Sequence, residues 1–275
     1  MGLEYTKQMS NRARRPALAI AAALWCGIAM GQTRYSGPRT SDGKPDLNGI
    51  WQAMNTADWD LRAHTGAPSA VLALGAIGAE PPGLSVIEGD EIPYQVWAAA
   101  KKKENAEHWL TADPAIKCYL PGVPRATYQP FPFQIVQTPR NVLIAYEFAS
   151  ASRAIPIAAK TQEAPVDSWM GDSWGRWEGD TLVVDVSSFT DQSWFDRAGD
   201  FHSDALHVVE RYIPVGRDVL QYEATIEDPK VFTRPWKISM PLYRHVEKNA
   251  QLLEFKCVEF VEELMYGPLR KKAAQ

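Results

Sequence analysis

The chain is poor in the residues that build metal and redox centres. It has three cysteines and five histidines in 275 residues. No Cys-x-x-Cys or His-x-His spacing occurs, so zinc ribbons, zinc fingers and related ligand pairs are excluded, and no metal is expected. A set drawn from His202, His207, Asp204 and Asp200 has no supporting spacing either. Long apolar runs are also missing. The longest, Ala17 to Met30, falls short of the roughly 20 residues that span a bilayer, so no stable membrane span is expected. There is no glycine-rich phosphate loop and no alternation of strands with helices, which argues against a doubly wound nucleotide fold and against a nucleotide cofactor. Positive charge is not in excess: 29 Lys and Arg face 33 Asp and Glu, for a net charge of −4. A net-acidic chain is poorly suited to phosphate backbones, so nucleic acid is not an expected partner.

What is present begins with an export signal. Lys7, Arg12, Arg14 and Arg15 stand against the single acid Glu4, an apolar core follows, and Ala29-Met30-Gly31 supplies a small-residue exit. These are the three parts of a secretory signal, with cleavage placed after Gly31 and a periplasmic or secreted destination. Met9 would make a more usual start than Met1. Arg14-Arg15 lacks the rest of a twin-arginine signal, and bulky Trp25 makes Cys26 a poor lipid-attachment site. The alternative is a buried N-terminal helix. Residues 1–31 hold four of the basic residues and one of the acidic ones, so their removal moves the net charge from −4 to −7. It also leaves two cysteines, Cys118 and Cys257. In an oxidising compartment an even count suggests a disulfide, which over so long a loop would stabilise by roughly 4–5 kcal/mol in the chain-entropy model. The alternative is a buried free thiol at Cys257, which shares its phase with Leu253 and Phe255.

The remaining length fits one large domain. Residues 32–48 read as an extended leader, 49–265 as a single β domain and 266–275 as a tail. Residues 65–93 form a long Gly-, Ala- and Pro-rich loop. A helix is predicted over Pro93 to Leu110, with Pro at its first turn and Tyr94, Trp97 and Ala98 on one side. Its Lys101-Lys102-Lys103 run reads as a solvated face. Pro114, Pro121, Pro124, Pro130 and Pro132 break up the stretch that follows. From Phe133 onward, four hairpins are predicted: Phe133–Thr138 with Val142–Phe148, Trp174–Trp177 with Thr181–Ser187, Ala205–Ile213 with Val219–Glu227, and Trp236–Arg244 with Leu252–Phe260. Leu220, Tyr222, Ala224 and Ile226 alternate with Gln221, Glu223, Thr225 and Glu227, giving one buried face and one wet face. Consecutive hairpins of this kind predict a mainly β fold, an antiparallel barrel with one helix and long Pro-rich loops.

Asp46-Leu47-Asn48-Gly49-Ile50-Trp51 resembles the Gly-x-Trp opening strand of lipocalin-like barrels. A wider resemblance runs from about residue 41 to 260. It is carried by Asp42–Leu47, Cys118–Arg125, Trp169-Met170-Gly171, Gly175–Val184, His202–Leu206 and Thr225–Pro229. These segments are similar to a family of exported bacterial β-rich proteins without an assigned reaction. The resemblance implies a secreted β domain and no activity. The chain departs from the family pattern at Asp172, where the pattern carries His, and that puts any chemistry at this position in doubt.

Several constellations could carry chemistry. His202-Ser203-Asp204 falls in a loop after Asp196 and Asp200. A loop histidine among carboxylates suits acid–base work near neutral pH; Asp172 and Asp204 are its expected partners, and an ordinary surface histidine is the alternative. Arg176 and Arg211 lie in strand phases that could face a cavity and anchor a ligand, or pair with a neighbouring carboxylate. Trp169, Trp174, Trp177 and Trp194 surround the same loops and suit an aromatic or apolar ligand, unless they plug the barrel. Gly171-Asp172-Ser173-Trp174-Gly175 matches a nucleophile elbow, with His202 or His245 as possible base, but a hairpin follows where the elbow requires a helix. Glu178, Asp180 and Glu210 are the candidates for a glycosidase-type carboxylate pair. The favoured reading is a cofactor-independent acid–base enzyme, an isomerase, lyase or cyclase, acting on a small apolar or aromatic compound in a barrel pocket. A non-catalytic carrier of such a ligand and a Ser173 hydrolase are the alternatives. Nothing in the sequence sets the oligomeric state.

Overall fold

Period-two patterning becomes nine strands: β1 (Gly49–Ala53), β2 (Phe133–Gln137), β3 (Asn141–Tyr146), β4 (Ser152–Pro156), β5 (Asp172–Glu178), β6 (Thr181–Ser187), β7 (His207–Gly216), β8 (Val219–Glu227) and β9 (Trp236–Arg244). The computed structural model describes Met1 and residues 35–71, 75–76, 78–159 and 164–256. The chain divides into two units, Met1–Thr33 and Arg34–Gln275, and every element named here belongs to the second. The expected signal, apart from Met1, and the expected tail lie outside the described residues, as does Cys257.

The strands form one sheet in the order β4-β3-β2-β1-β9-β8-β7-β6-β5, with every neighbour antiparallel. The sheet curls until its edges nearly meet, so the fold is a lipocalin-like β-barrel. An odd number of alternating strands leaves the two edges pointing the same way, so the closing contact has to be parallel. It is a single parallel bridge, Ile157 to Gly175, reinforced by the Ala158 N–H donating to the Gly175 carbonyl at 3.1 Å. Gly175 makes that approach possible. A Cβ there would lie 2.7 Å from Ile157 and 2.9 Å from Ile155. The second glycine of the apparent nucleophile elbow is therefore a seam residue, and Ser173 lies inside strand β5 rather than on a turn.

Three predicted hairpins form: β2–β3, β5–β6 and β7–β8. The fourth does not. Strand β9 pairs with β8 on one side and, through Arg244, Tyr243 and Leu242, with Trp51, Gln52 and Ala53 of β1 on the other. Both edges of β9 are thus taken. Residues 251–256 carry no strand, and 257–260 lie outside the described residues. Strand β4 was not anticipated, because Ser and Ala dilute its apolar signal. The helix expected over 93–110 appears as α1 (Val96–Glu107) followed by a single turn, α2 (Trp109–Ala112). Its expected apolar side is modest: Ala98 is buried but Trp97 is 54% exposed. A further short helix, α3 (Arg125–Tyr128), lies in the proline-rich stretch and is wholly buried. Among the described residues no helix is long and apolar enough to cross a membrane.

The barrel interior is filled by side chains. Trp51, Phe133, Ile135, Val184, Leu220, Ala224, Ile238 and Leu242 are fully buried there. Trp51 donates its indole N–H to the Leu47 carbonyl at 2.9 Å, and the Arg244 guanidinium lies 4.2 Å over its ring. Removing so large a buried ring costs about 3–5 kcal/mol. One polar network runs through this core. Arg153 of β4 forms an ion pair with Glu210 of β7 at 2.5 Å and donates to Ser173 of β5 and Tyr146 of β3, while Tyr212 and Tyr222 donate to Glu210. Burial, and then the nearby Glu210 charge, hold both tyrosines far above their ordinary pKa, so they remain donors. The network ties five strands together across the seam.

Candidate functional site

The loop from 188 to 206, between β6 and β7, covers one end of the core. It is held from several sides. Trp194 and Phe201 face each other across a bridge, and the Phe195 N–H donates to the Asp200 carbonyl at 2.7 Å. Tyr128 of α3 donates to the Phe195 carbonyl at 2.8 Å, and Asn105 of α1 donates to the Gly199 carbonyl at 3.3 Å. Asp196 accepts from the backbone N–H groups of Leu61 and Asp200, both at 3.0 Å. A loop fixed at this many points can hold side chains to a set geometry.

Two of those side chains meet. The Ser193 hydroxyl lies 2.8 Å from His202 Nε2, and His202 Nδ1 lies 2.9 Å from the Ser203 carbonyl oxygen. A carbonyl can only accept, so Nδ1 carries the proton and Nε2 accepts from the Ser193 hydroxyl. Burial, more than any charge, depresses the His202 pKa and favours the neutral ring; Asp228 and Asp191 pull weakly the other way. The Ser203 carbonyl is itself held in place, because Asp228 accepts from the Ser203 N–H at 2.6 Å and from its hydroxyl at 2.9 Å. Phe195 and Phe189 flank the imidazole, with ring centroids 5.3 and 6.0 Å away. Both members of the pair are only 2% exposed.

Backbone closes in over Ser193. Gly122 has φ +74, and a Cβ there would lie 2.2 Å from Ser193 Oγ and 3.3 Å from the Trp169 carbonyl. Only glycine fits this left-handed, close approach. Trp169 packs edge-on against Tyr119 at 5.6 Å, and Tyr119 is 52% exposed. Three sequence segments singled out above, Cys118–Arg125, Trp169–Gly171 and His202–Leu206, therefore converge on one Ser–His pair.

Acidic networks lie behind it. Arg125 forms a bidentate pair with Asp113, with both contacts at 2.8 Å, and also reaches Asp58 at 2.8 Å; Arg197 completes the set at 3.1 Å from Asp58. Arg197 stacks 4.1 Å over the Trp59 ring. Nearby, carboxylate oxygens of Asp60, Asp196 and Asp200 lie within 4.8 Å of one another, the only such group that could hold a cation among the described residues. Its charge is already answered from three sides: Arg62 at 3.1 Å, Lys102 at 4.0 Å and the Tyr94 hydroxyl at 2.6 Å all meet Asp200. Burial, then the neighbouring Asp200 charge, raise the Asp196 pKa well above the usual carboxylate range.

The partners expected for His202 lie elsewhere. Asp204 is exposed and paired with Lys230 at 2.5 Å; it points to water because it sits in the turn before β7. Asp172 accepts from the Trp174 indole at 2.8 Å. Arg176 and Arg211 face outward and share Glu178, each at 2.8 Å, because their strand phase is the wet one. The four tryptophans do not form one cluster. The Trp169 ring packs against Tyr119, and Trp194 packs on the core. Trp174 is turned to Asp172, and Trp177 lies under Lys44 at 5.6 Å. Ser173 accepts from Arg153 inside the barrel. Glu210 is locked in the same network, and Asp180 pairs with Arg39. His207 stands on the outer face between Asp185 and Glu227, and His245 bonds Gln52 and faces Glu247. His245 lines a separate surface groove of about 590 Å³ with Ile50, Pro132 and Leu253.

Sequence reasoning missed Ser193 and Gly122. Ser193 lies in no motif, and only the fold of the loop brings it to a histidine nine residues on. Comparison with protein-family models, curated proteins and solved structures gives no significant match. The functional reading therefore rests on geometry.

Proposed function

We propose that this protein is an exported acid–base enzyme acting on a small, largely apolar or aromatic compound, with His202 as the group that takes and returns a proton. The observation that carries the reading is the fixed imidazole: Nδ1 is committed to the Ser203 carbonyl, leaving a neutral Nε2 facing the Ser193 hydroxyl. A neutral, oriented base with a depressed pKa is poised to accept a proton at neutral pH. The rings of Phe189 and Phe195, which flank the imidazole, favour an apolar substrate at that end of the barrel. Ser193 and His202 are nearly fully buried, so reaching the pair requires the surrounding loop backbone to move aside, a gating role that loops serve in many enzymes. The carrier reading is less well supported, since it needs an apolar chamber where the Arg153–Glu210 network now sits. A Ser173 hydrolase lacks a base, since the partner of Ser173 is a guanidinium.

Export belongs to the same proposal. So do a Cys118–Cys257 bridge and the kinship with exported β-rich proteins, whose shared segments meet at this pair. The test is turnover. The purified protein is incubated with a panel of small aromatic and apolar ketones, alkenes, epoxides and esters, alongside His202→Gln. The expected result is conversion of one class by the parent and a loss of about 10²–10⁴-fold in the variant. Equal turnover by both proteins, or none by the parent, overturns the reading. Alkylating the same preparation before and after reduction shows whether the two cysteines are bonded.

A further inference from the structure

We infer that Ser193 is a nucleophile, activated by His202, and that the bond it opens is a carboxylic ester of a small apolar or aromatic acid. The inference rests on His202 being the base of this site and adds a covalent role for its neighbour. A serine hydroxyl is a weak nucleophile unless a base takes its proton as it attacks. The requirement is geometric: hydroxyl and imidazole nitrogen within about 2.6–3.2 Å, and the base oriented by a third group. Ser193 Oγ and His202 Nε2 are 2.8 Å apart, and the third group is the Ser203 carbonyl, 2.9 Å from Nδ1. Asp228 acts through that carbonyl as a positioning residue, gripping the Ser203 N–H and hydroxyl. A main-chain carbonyl thus takes the place that a carboxylate fills in a Ser–His–Asp triad.

A buried histidine with a satisfied Nδ1 needs one donor for Nε2, and any hydroxyl would serve. This hydroxyl, however, lies under the narrow cover of Gly122 and Trp169, where a Cβ at Gly122 would strike its oxygen. Keeping a left-handed glycine against a serine oxygen leaves the backbone closer to Oγ than any side chain would allow.

The step balances without a further reagent. Ser193 Oγ bonds to the ester carbonyl carbon while its proton passes to Nε2. The C–O bond to the alcohol breaks, and the alcohol leaves with that proton. Water then attacks the acyl-serine, giving its proton to Nε2. The acid departs, and Oγ recovers the proton from the imidazole.

An alkyl fluorophosphonate, which reacts with activated serines and leaves a stable adduct, tests the inference on the parent protein without relying on any variant to fold. The folded protein is treated and mapped by peptide mass spectrometry, with hydrolysis of p-nitrophenyl butyrate followed in parallel. The expected result is one adduct, on Ser193, absent after denaturation and formed about 10²-fold more slowly in His202→Gln. Ser193→Ala should lose ester hydrolysis while unfolding at the parent's temperature. Absence of an adduct on Ser193 in the folded parent overturns the nucleophile. If His202→Gln still abolishes turnover on the wider panel in that case, proton transfer by His202 stands alone. If it does not, both readings fall.

Discussion

The barrel interior and the 188–206 loop both bury charge, but they settle it differently. Inside the barrel one cation meets one anion. Arg153 and Glu210 are surrounded by donors and acceptors that leave little of the pair unanswered. In and around the loop the balance is uneven. Asp196 lies buried beside Asp200, which raises its pKa, and the imidazole of His202 accepts from the hydroxyl of Ser193. A closed, balanced network braces strands and has no capacity left for a substrate. An imidazole held against a hydroxyl is paired instead with a group that can exchange a proton with it. The two regions teach that burial alone does not mark a functional histidine or carboxylate; the chemistry of its partner does, a guanidinium for Glu210 and a hydroxyl for His202.

The largest effect expected is at the barrel network. Glu210→Ala leaves Arg153 buried without its counter-charge and should cost about 3–5 kcal/mol, read by urea unfolding. A loss under about 1 kcal/mol would show that the barrel opens to water there, and the contrast with the loop would dissolve.

A smaller, pH-dependent effect is expected in the loop. The folded pKa of Asp196 lies above its unfolded value, so its contribution to stability is complete below about pH 4 and is lost as pH rises through the folded pKa. His202 works in the opposite sense. Its folded pKa is depressed, so its contribution is present above about pH 6.5 and is lost as pH falls below that. Unfolding series across pH should show Asp196→Asn flattening the loss on the rising side and His202→Gln flattening the loss on the falling side. Curves parallel to the parent in both variants would remove the raised Asp196 pKa and the depressed His202 pKa from the account.

The smallest effect is expected at Asp204. Its carboxylate is exposed and, among the described residues, touches only Lys230 of the charged groups, so Asp204→Ala should leave both unfolding temperature and turnover at parent values. A clear loss of turnover would bring Asp204 back as a partner of His202 and would enlarge the site toward solvent.

Much of the barrel was legible in the chain. Strand β8 carries an uninterrupted alternation from Leu220 to Ile226, and its predicted bounds match the structure because one face packs and the other is wet. Strand β4 was not legible, because Ser152, Ala154 and Pro156 weaken its apolar signal. The site was legible in part. His202 stood out by residue type and loop context, and the segments around it by their motifs. Its partners did not: Asp204 lies closer in sequence than Ser193 yet points to water, whereas Ser193 is folded back across the Trp194–Phe201 bridge. The Gly-x-Ser-x-Gly run misled for a related reason. Its glycines serve a turn and a strand seam, uses that a pattern of letters does not distinguish from an elbow.

The sequence by itself determined the alternation, and with it the antiparallel barrel, since period-two patterning is local and each strand carries its own record of which face is buried. Only the tertiary structure decided that β1 closes against the second edge of β9, that the barrel core holds an ion pair, and that His202 faces Ser193. Those choices depend on which distant groups compete for the same edge, the same charge or the same lone pair. Such competition is settled by the packing of the whole chain.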